Sequence, residues 1–328
     1  MSVQDSPFQS VLATSIASFL AYKRALGRRF DAEEATLRLL DRFLAQQDVH
    51  VLSQISPELI DAFLKSRPRS RPRSYNHLLG TVRRLFDWLA LQGVLLPSPV
   101  RATPKRNTDP HIPFIFDKET AGRLLCVAGS LKTNPNAPLR GVTYRTIFAL
   151  LYGLGLRVGE VSRLYGEDVD WQRNLLVIRE TKFYKSRLVP FGPRIGALLR
   201  DYFQARHHSP SIAADTPVFT FSRNRPINPM TISLVFHALV PRLGLTVPRG
   251  VSSPRLHDLR HSFAVGTLLR WYRTGIDPQS RLLQLSTFLG HVGPETTAIY
   301  LTITDQLLQE ANRRFEQFTR PVIQGESS

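Results

Sequence analysis

The stretch LLPSPVRATPKRNTDPHIP, beginning at Leu95, carries five prolines and no apolar period. Proline lacks a backbone donor and pushes the residue before it out of the helical region, so neither a helix nor an inner strand can run through such a segment. The chain therefore reads as two folded parts: a domain over residues 1–96, a linker over 97–113 and a second domain over 114–328. With 328 residues, 42% of them hydrophobic, both parts can bury a core.

Before the break, VLATSIASFLAYKRAL, AEEATLRLLDRFLAQQ, SPELIDAFLKS and SYNHLLGTVRRLFDWLALQG place apolar residues three and four apart, the spacing of a helix with one buried face. Ser56 ahead of Pro57 and Glu58 reads as an N-cap, and Gly93 as a stop. This predicts a bundle of four helices. Beyond the break, FDKETAGRLLCVAGS and RTIFALLYGLG read as helices, the second apolar enough to be buried. The β-rich runs NLLVIRE and SRLVPF flank TKFYK as a hairpin whose tip carries Lys182, and ARHHSPSIAADTP reads as a loop. Helices are expected again in NPMTISLVFHALVPRLG up to its proline, in LHDLRHSFAVGTLLRWYR, in RLLQLSTFLG and in DQLLQEANRRFEQF. In the last of these, Leu307, Leu308, Ala311, Phe315 and Phe318 form an apolar stripe that needs cover. The expected class is mainly α with a small antiparallel β-sheet.

Charge narrows the partner. Forty-three Lys and Arg against 26 Asp and Glu leave a formal +17, and each phosphate neutralised by such a chain releases a condensed counterion. Double-stranded DNA is the expected ligand. The segment KSRPRSRPRSYNHLLGTVRR holds seven Lys and Arg and no acid. Its candidate phosphate contacts are Lys65, Arg67, Arg69, Arg71, Arg73, Arg83 and Arg84, with Lys105 and Arg106 in the linker, while Tyr75, Asn76 and His77 stand where base edges would lie. The alternative is a solvated charged loop. The single cysteine, Cys126, is read as a small core residue and fits a reducing compartment. No signal-peptide pattern opens the sequence, and its longest apolar run falls short of the roughly 20 residues that span a bilayer, so a cytoplasmic location without membrane contact is expected.

HDLRH, residues 257–261, approaches the zinc signature H-E-x-x-H. Arg260, however, shares the helix face of His257, and a permanent cation opposes a bound metal; Asp258 is also a shorter base than glutamate. A phosphodiester suits these side chains better, since a guanidinium gives bidentate hydrogen bonds and an imidazole moves a proton. No metal is expected. Two core histidines without a function remain the bland alternative.

Four stretches together resemble the tyrosine recombinase, or phage integrase, family: GLGLRVGEVSRL from Gly153, ETKFYKSRLVPF from Glu180, HDLRHSFA from His257 and LGHVGPETTAIY from Leu289. They resemble its G-L-R-x-x-E-x-x-x-L box, its lysine hairpin followed by R-x-V-P, its H-x-L-R-H box, and its L-G-H box with a tyrosine nine residues after the histidine. The resemblance implies that Arg157 and Arg260 clamp the phosphate, Lys182 is the hairpin lysine, His257 and His291 complete the pocket, Glu160 supports it and Tyr300 is the nucleophile. It implies a catalytic domain preceded by a helical, SAM-like core-binding domain, the two able to close around a duplex. It also implies a tetramer on two DNA sites, in which sister recombinases can share, and neither cofactor nor metal.

The chemistry gives these residues reasons. Attack on a phosphodiester adds charge at phosphorus that two guanidiniums stabilise; a phenol with a pKa of about 10 needs a base, for which His257 is the candidate; and the 5′-oxygen needs a proton, for which Lys182 is the donor. His261 is read as structural. The chain departs from common members after the tyrosine, where it reads YLTITDQLLQEANRRFEQF, and in the longer segment between its third and fourth boxes. A type IB topoisomerase-like enzyme and a non-catalytic DNA-binding protein of the same fold are the rival readings.

Overall fold

The computed structural model describes residues 8–95, 97–106, 112–179, 186–208, 212–221, 225–291, 293–302 and 309. Two compact units divide after Pro110. The first holds α1 (Ala13–Ala25), α2 (Asp31–Gln46), α3 (Pro57–Ser66) and α4 (Pro72–Leu91), the four expected helices. Ser56 caps α3 by accepting from the Leu59 N–H, and Gly93, at φ +69, ends α4 in the left-handed region that glycine enters without strain. The apolar faces meet in a core that includes Leu12, Ile16, Phe19, Leu37, Leu40, Phe63, Val82 and Phe86. Each such side chain contributes about 1.5–3 kcal/mol on burial. Buried Asp41 accepts the Gln9 and Ser10 N–H groups, both at 2.9 Å, and so fastens the segment leading into α1.

Residues 97–106, read as linker, lie along this unit. The Asn76 amide brackets Lys105, donating to its carbonyl and accepting from its N–H at 2.8 Å each; Arg83 donates to the Ala102 carbonyl; and Lys105 Nζ sits 4.6 Å from the centre of the Tyr75 ring. Proline blocks regular structure here, so side chains of α4 satisfy the backbone instead.

The second unit contains α5 (Lys118–Gly129), α6 (Arg140–Gly153), α7 (Val158–Ser162), β1 (Val169–Asp170), β2 (Leu175–Ile178), β3 (Arg187–Pro190), α8 (Pro193–His207), α9 (Pro229–Leu239), α10 (Asp258–Arg273), α11 (Leu282–Leu289) and α12 (Glu295–Ala298). The strands form one antiparallel sheet in the order β1-β2-β3, with Leu176 opposite Val189 and Ile178 opposite Arg187. Leu176 and Ile178 point into the core while Leu175 and Val177 are half-buried, the alternation a two-residue period demands. The hairpin is thus the expected one, with its tip, residues 180–185, outside the described residues. Helix α6 is buried through Ile147, Phe148, Leu150 and Leu151. Two elements differ from expectation. Helix α8 covers Ala205, Arg206 and His207, read as loop, because Ile195, Leu199, Tyr202 and Phe203 give it an apolar face. Cys126 is exposed rather than in the core, since α5 turns Leu124 and Ala128 inward instead.

Candidate active site

The site grows from the turn between α6 and α7. Gly155 adopts φ +60, and a Cβ there would lie 2.6 Å from the Phe263 ring, so only glycine fits. Two residues on, Arg157 has extended backbone (φ −79, ψ 147) at the start of α7. Its N–H donates to Glu160 Oε2 at 2.8 Å and its Nη1 to Oε1 at 2.7 Å. The carboxylate thereby holds both the helix start and the arginine side chain.

A second arginine completes the cage around Glu160. Arg187, the first residue of β3, donates Nη1 and Nη2 to the two carboxylate oxygens at 2.9 and 2.8 Å, and its Nε to the Phe288 carbonyl at 2.8 Å. Burial pushes the Glu160 carboxyl up, but hydrogen bonding and charge from Arg187, then Arg157, outweigh it and hold the pKa at about 2. Glu160 is an anion at any neutral pH, shared between two cations.

Helix α10 delivers Arg260, which is only 1% exposed. Its Nη1 donates to the Gly155 carbonyl and its Nη2 to the Leu289 carbonyl, both at 2.6 Å, while Arg157 Nη2 donates to the next carbonyl, that of Gly290, at 2.7 Å. Consecutive carbonyls at the end of α11 therefore hold guanidiniums from two separate segments. Gly290 ends that helix at φ +68, and a Cβ on it would meet Arg187 Nη1 at 2.8 Å. Burial, then the charge of Arg157, lowers the Arg260 pKa to about 9, which leaves it protonated at neutral pH.

Both histidines border these cations. His291 follows Gly290 and shares a 2.7 Å hydrogen bond between Nδ1 and Thr297 Oγ1. Burial, then Arg260 and Arg157, lowers its pKa to about 4. His257, at the start of α10, is lowered to about 4 by the protein crowded against it, then by His261 and Arg260; its ring is nonetheless exposed, and water moderates that shift. Tyr300 lies in a single turn of 3₁₀ helix, Ile299–Thr302, and is 3% exposed. Its ring stacks 6.3 Å from that of His291, and its hydroxyl meets His261 Nδ1 at 2.8 Å. Burial pushes the phenol up, Arg260 and Arg157 pull it down, and Asp258 adds to the rise.

Of the expected site residues, Arg157, Glu160, His257, Arg260, His291 and Tyr300 are gathered here, and Lys182 lies outside the described residues. Arg187, the arginine of R-x-V-P, was not among the expected site residues. His257 was the expected base and His261 a structural residue, whereas the ring that meets the hydroxyl is that of His261. The zinc-like motif is used otherwise: Asp258 accepts from the Arg255 N–H at 2.9 Å and from its Nη2 at 3.1 Å, and the rings of His257 and His261 meet edge to face at 4.7 Å. Among the described residues no group of three or more His, Cys, Asp or Glu is placed to hold a metal.

The basic candidates of the first unit divide in two. Lys65, Arg69, Arg71, Arg73, His77, Lys105 and Arg106 are exposed and Arg67 is half-buried. Asn76, Tyr75 and Arg83 instead fasten residues 97–106, as above, and Arg84 pairs with Glu33 at 3.6 Å. Each polar atom of the Asn76 amide already has one partner in the Lys105 backbone, which leaves a single N–H and a single lone pair, so its first task is to hold the chain, a difference that only the fold reveals. The terminal stripe, Leu307 to Phe318, lies outside the described residues, and no helix among those described is long and apolar enough to cross a membrane.

The chain belongs to the phage integrase family, whose sequence profile matches residues 129–306. A Sinorhizobium fredii (strain NGR234) protein that bears the name integrase/recombinase y4rB is 35% identical over 94% of this chain and 98% of its own. Tyrosine recombinase XerA of Pyrococcus horikoshii is 34% identical over 78% of this chain and 80% of its own. In fold, the chain resembles a lambda integrase dimer bound to a COC′ core site, with TM-score 0.61, 16% identity, and 88% of this chain and 76% of that one covered.

Proposed function

We propose that this chain is a site-specific DNA recombinase that cuts and rejoins strands through a 3′-phosphotyrosyl intermediate on Tyr300. The observation that carries the reading is the pair of guanidiniums, Arg157 and Arg260, tied to consecutive carbonyls with the Tyr300 phenol inside their field. Arg157, Arg187 and Arg260 face one carboxylate, Glu160, so the site keeps positive charge for a phosphate that gains negative charge as phosphorus becomes five-coordinate. His291 and His257 are neutral at pH 7 and so can donate or accept a hydrogen bond at the phosphate. Lys182, on the hairpin that Arg187 anchors, supplies the proton that lets the 5′-oxygen leave. The energy of the broken linkage is kept in the phosphotyrosine, and a second 5′-hydroxyl can reverse the step with neither nucleotide nor metal.

Under this reading residues 1–96 form the core-binding domain. The exposed Lys65, Arg69, Arg71 and Arg73, joined by Lys105 and Arg106, track the DNA backbone. The dimeric lambda integrase supports an assembly of several copies, and we extend this to a tetramer on two sites, with sister recombinases able to take part. As an enzyme of chromosomal or mobile DNA it works in the cytoplasm. Relaxation of DNA without strand exchange is the alternative use of the same chemistry.

The test is selection from random-sequence nicked duplexes, in which covalent complexes are captured after denaturation. The wild-type chain is expected to retain a defined sequence through Tyr300, and Tyr300→Phe to bind it without forming an adduct. An adduct on the phenylalanine variant removes the nucleophile assignment.

A further inference from the structure

The recombinase reading leaves His261 without work, yet its ring is the one that meets the reacting oxygen. His261 Nδ1 and Tyr300 Oη are 2.8 Å apart across 39 residues of sequence, and the rings are 5.4 Å apart. Both sit where bulk water is scarce, Tyr300 being 3% exposed and His261 half-buried. A phenol sealed in this way has no solvent to take its proton. The hydrogen-bond partner of the phenol is His261, whereas His257 meets the His261 ring at 4.7 Å and is exposed. We propose that His261 is the proton acceptor of the Tyr300 nucleophile, an inference that rests on the recombinase reading.

In the forward step the Oη–H bond breaks and its proton passes to Nδ1, while Oη forms a bond to phosphorus. The P–O5′ bond breaks, its electron pair leaves on the 5′-oxygen, and that oxygen takes a separate proton from the acid assigned to Lys182. Rejoining reverses the sequence, and His261 returns the proton to the departing phenol. For the hydrogen bond to point from phenol to ring, the neutral imidazole carries its hydrogen on Nε2. Among the described residues, the charged and titratable groups around the pair include His257 just ahead of α10, Asp258 and Arg260 on it, Arg157 ahead of α7 and His291 after α11.

The test uses the duplex recovered in the selection above, made with an ordinary linkage and with a 5′-bridging sulfur whose thiolate leaves without a proton. His261→Asn places an amide near the Nδ1 position, which preserves a hydrogen bond and removes the basicity. Its adduct formation is expected to fall about 100-fold or more on both duplexes, the scale of general-base catalysis, whereas Lys182→Ala regains activity on the sulfur duplex. Wild-type rates for His261→Asn, or its rescue by sulfur, overturn the inference alone. A wild-type chain that forms no adduct on any duplex overturns the recombinase reading and takes the inference with it. A second measurement needs no variant: with ¹⁵N-labelled histidine in the wild-type chain, His261 Nδ1 is expected to show the signal of an unprotonated ring nitrogen, and a protonated Nδ1 in the neutral ring overturns the assignment.

Discussion

Glu160 shows how one residue sets the electrostatics of the site. It is buried, yet it accepts from Arg157 and Arg187 and stays ionised down to about pH 2. Glu160→Gln removes the anion and leaves two cations facing one another. Breaking a buried pair in this way is expected to cost about 3–5 kcal/mol, read from the denaturant midpoint. Because the folded pKa is below the ordinary 4.5, its contribution is complete above pH 4.5 and is lost as the pH falls toward 2. Acid titration of stability should therefore show a loss of about 3 kcal/mol in that window for the wild type, and that component should be missing from the glutamine variant. His291 gives an independent check. Its pKa of about 4 lies below the ordinary 6.5, so its ring proton resonance should stay that of neutral imidazole at pH 5.5 and shift only near pH 4 in the DNA-free chain.

At the scale of elements, the end of α11 is the piece on which the rest is hung. Gly290→Ala places a methyl carbon at φ +68 and against Arg187, and should lower stability by about 1–2 kcal/mol while cutting adduct formation far more than DNA binding. Equal losses in both assays would show that the turn serves folding alone. Much at this scale was legible beforehand. The four helices of the first unit, the hairpin and α10 each announce themselves through apolar spacing, because a one-sided core imposes its period on any element that packs against it. Helix α8 was readable in the same way from Ile195, Leu199, Tyr202 and Phe203 and was passed over, while β1 is two residues long and leaves no period to find. In the site, Arg157, Arg260 and Tyr300 were legible through the boxes that resemble the family's motifs, since reaction chemistry alone does not single out one tyrosine of nine. The roles of Arg187 and His261 were not, since their partners lie 27 and 39 residues away and only folding brings them together.

For the molecule as a whole, the charge of +17 is a long-range pull on DNA, and its parts are separable by experiment. Arg69 is exposed, so Arg69→Ala should weaken binding to all sequences alike and reduce the slope of log affinity against log salt by about one. Asn76→Ala should behave differently. It frees the backbone of Lys105, which hydrogen exchange at that amide would record as faster opening, with the preferred DNA sequence unchanged. A changed sequence preference would instead return Asn76 to the base-reading role first expected of it.

The carbonyls of Leu289 and Gly290 belong to neighbouring residues, whose Cα atoms a trans peptide fixes about 3.8 Å apart. That short covalent ruler sets the gap between the two arginines, and neither can drift without dragging its companion. Each arginine keeps a second hold, on Glu160 and on the Gly155 carbonyl, so a disturbance at this one link loosens both clamps together, and gentle heating should weaken strand cleavage through the pair rather than through either arginine alone.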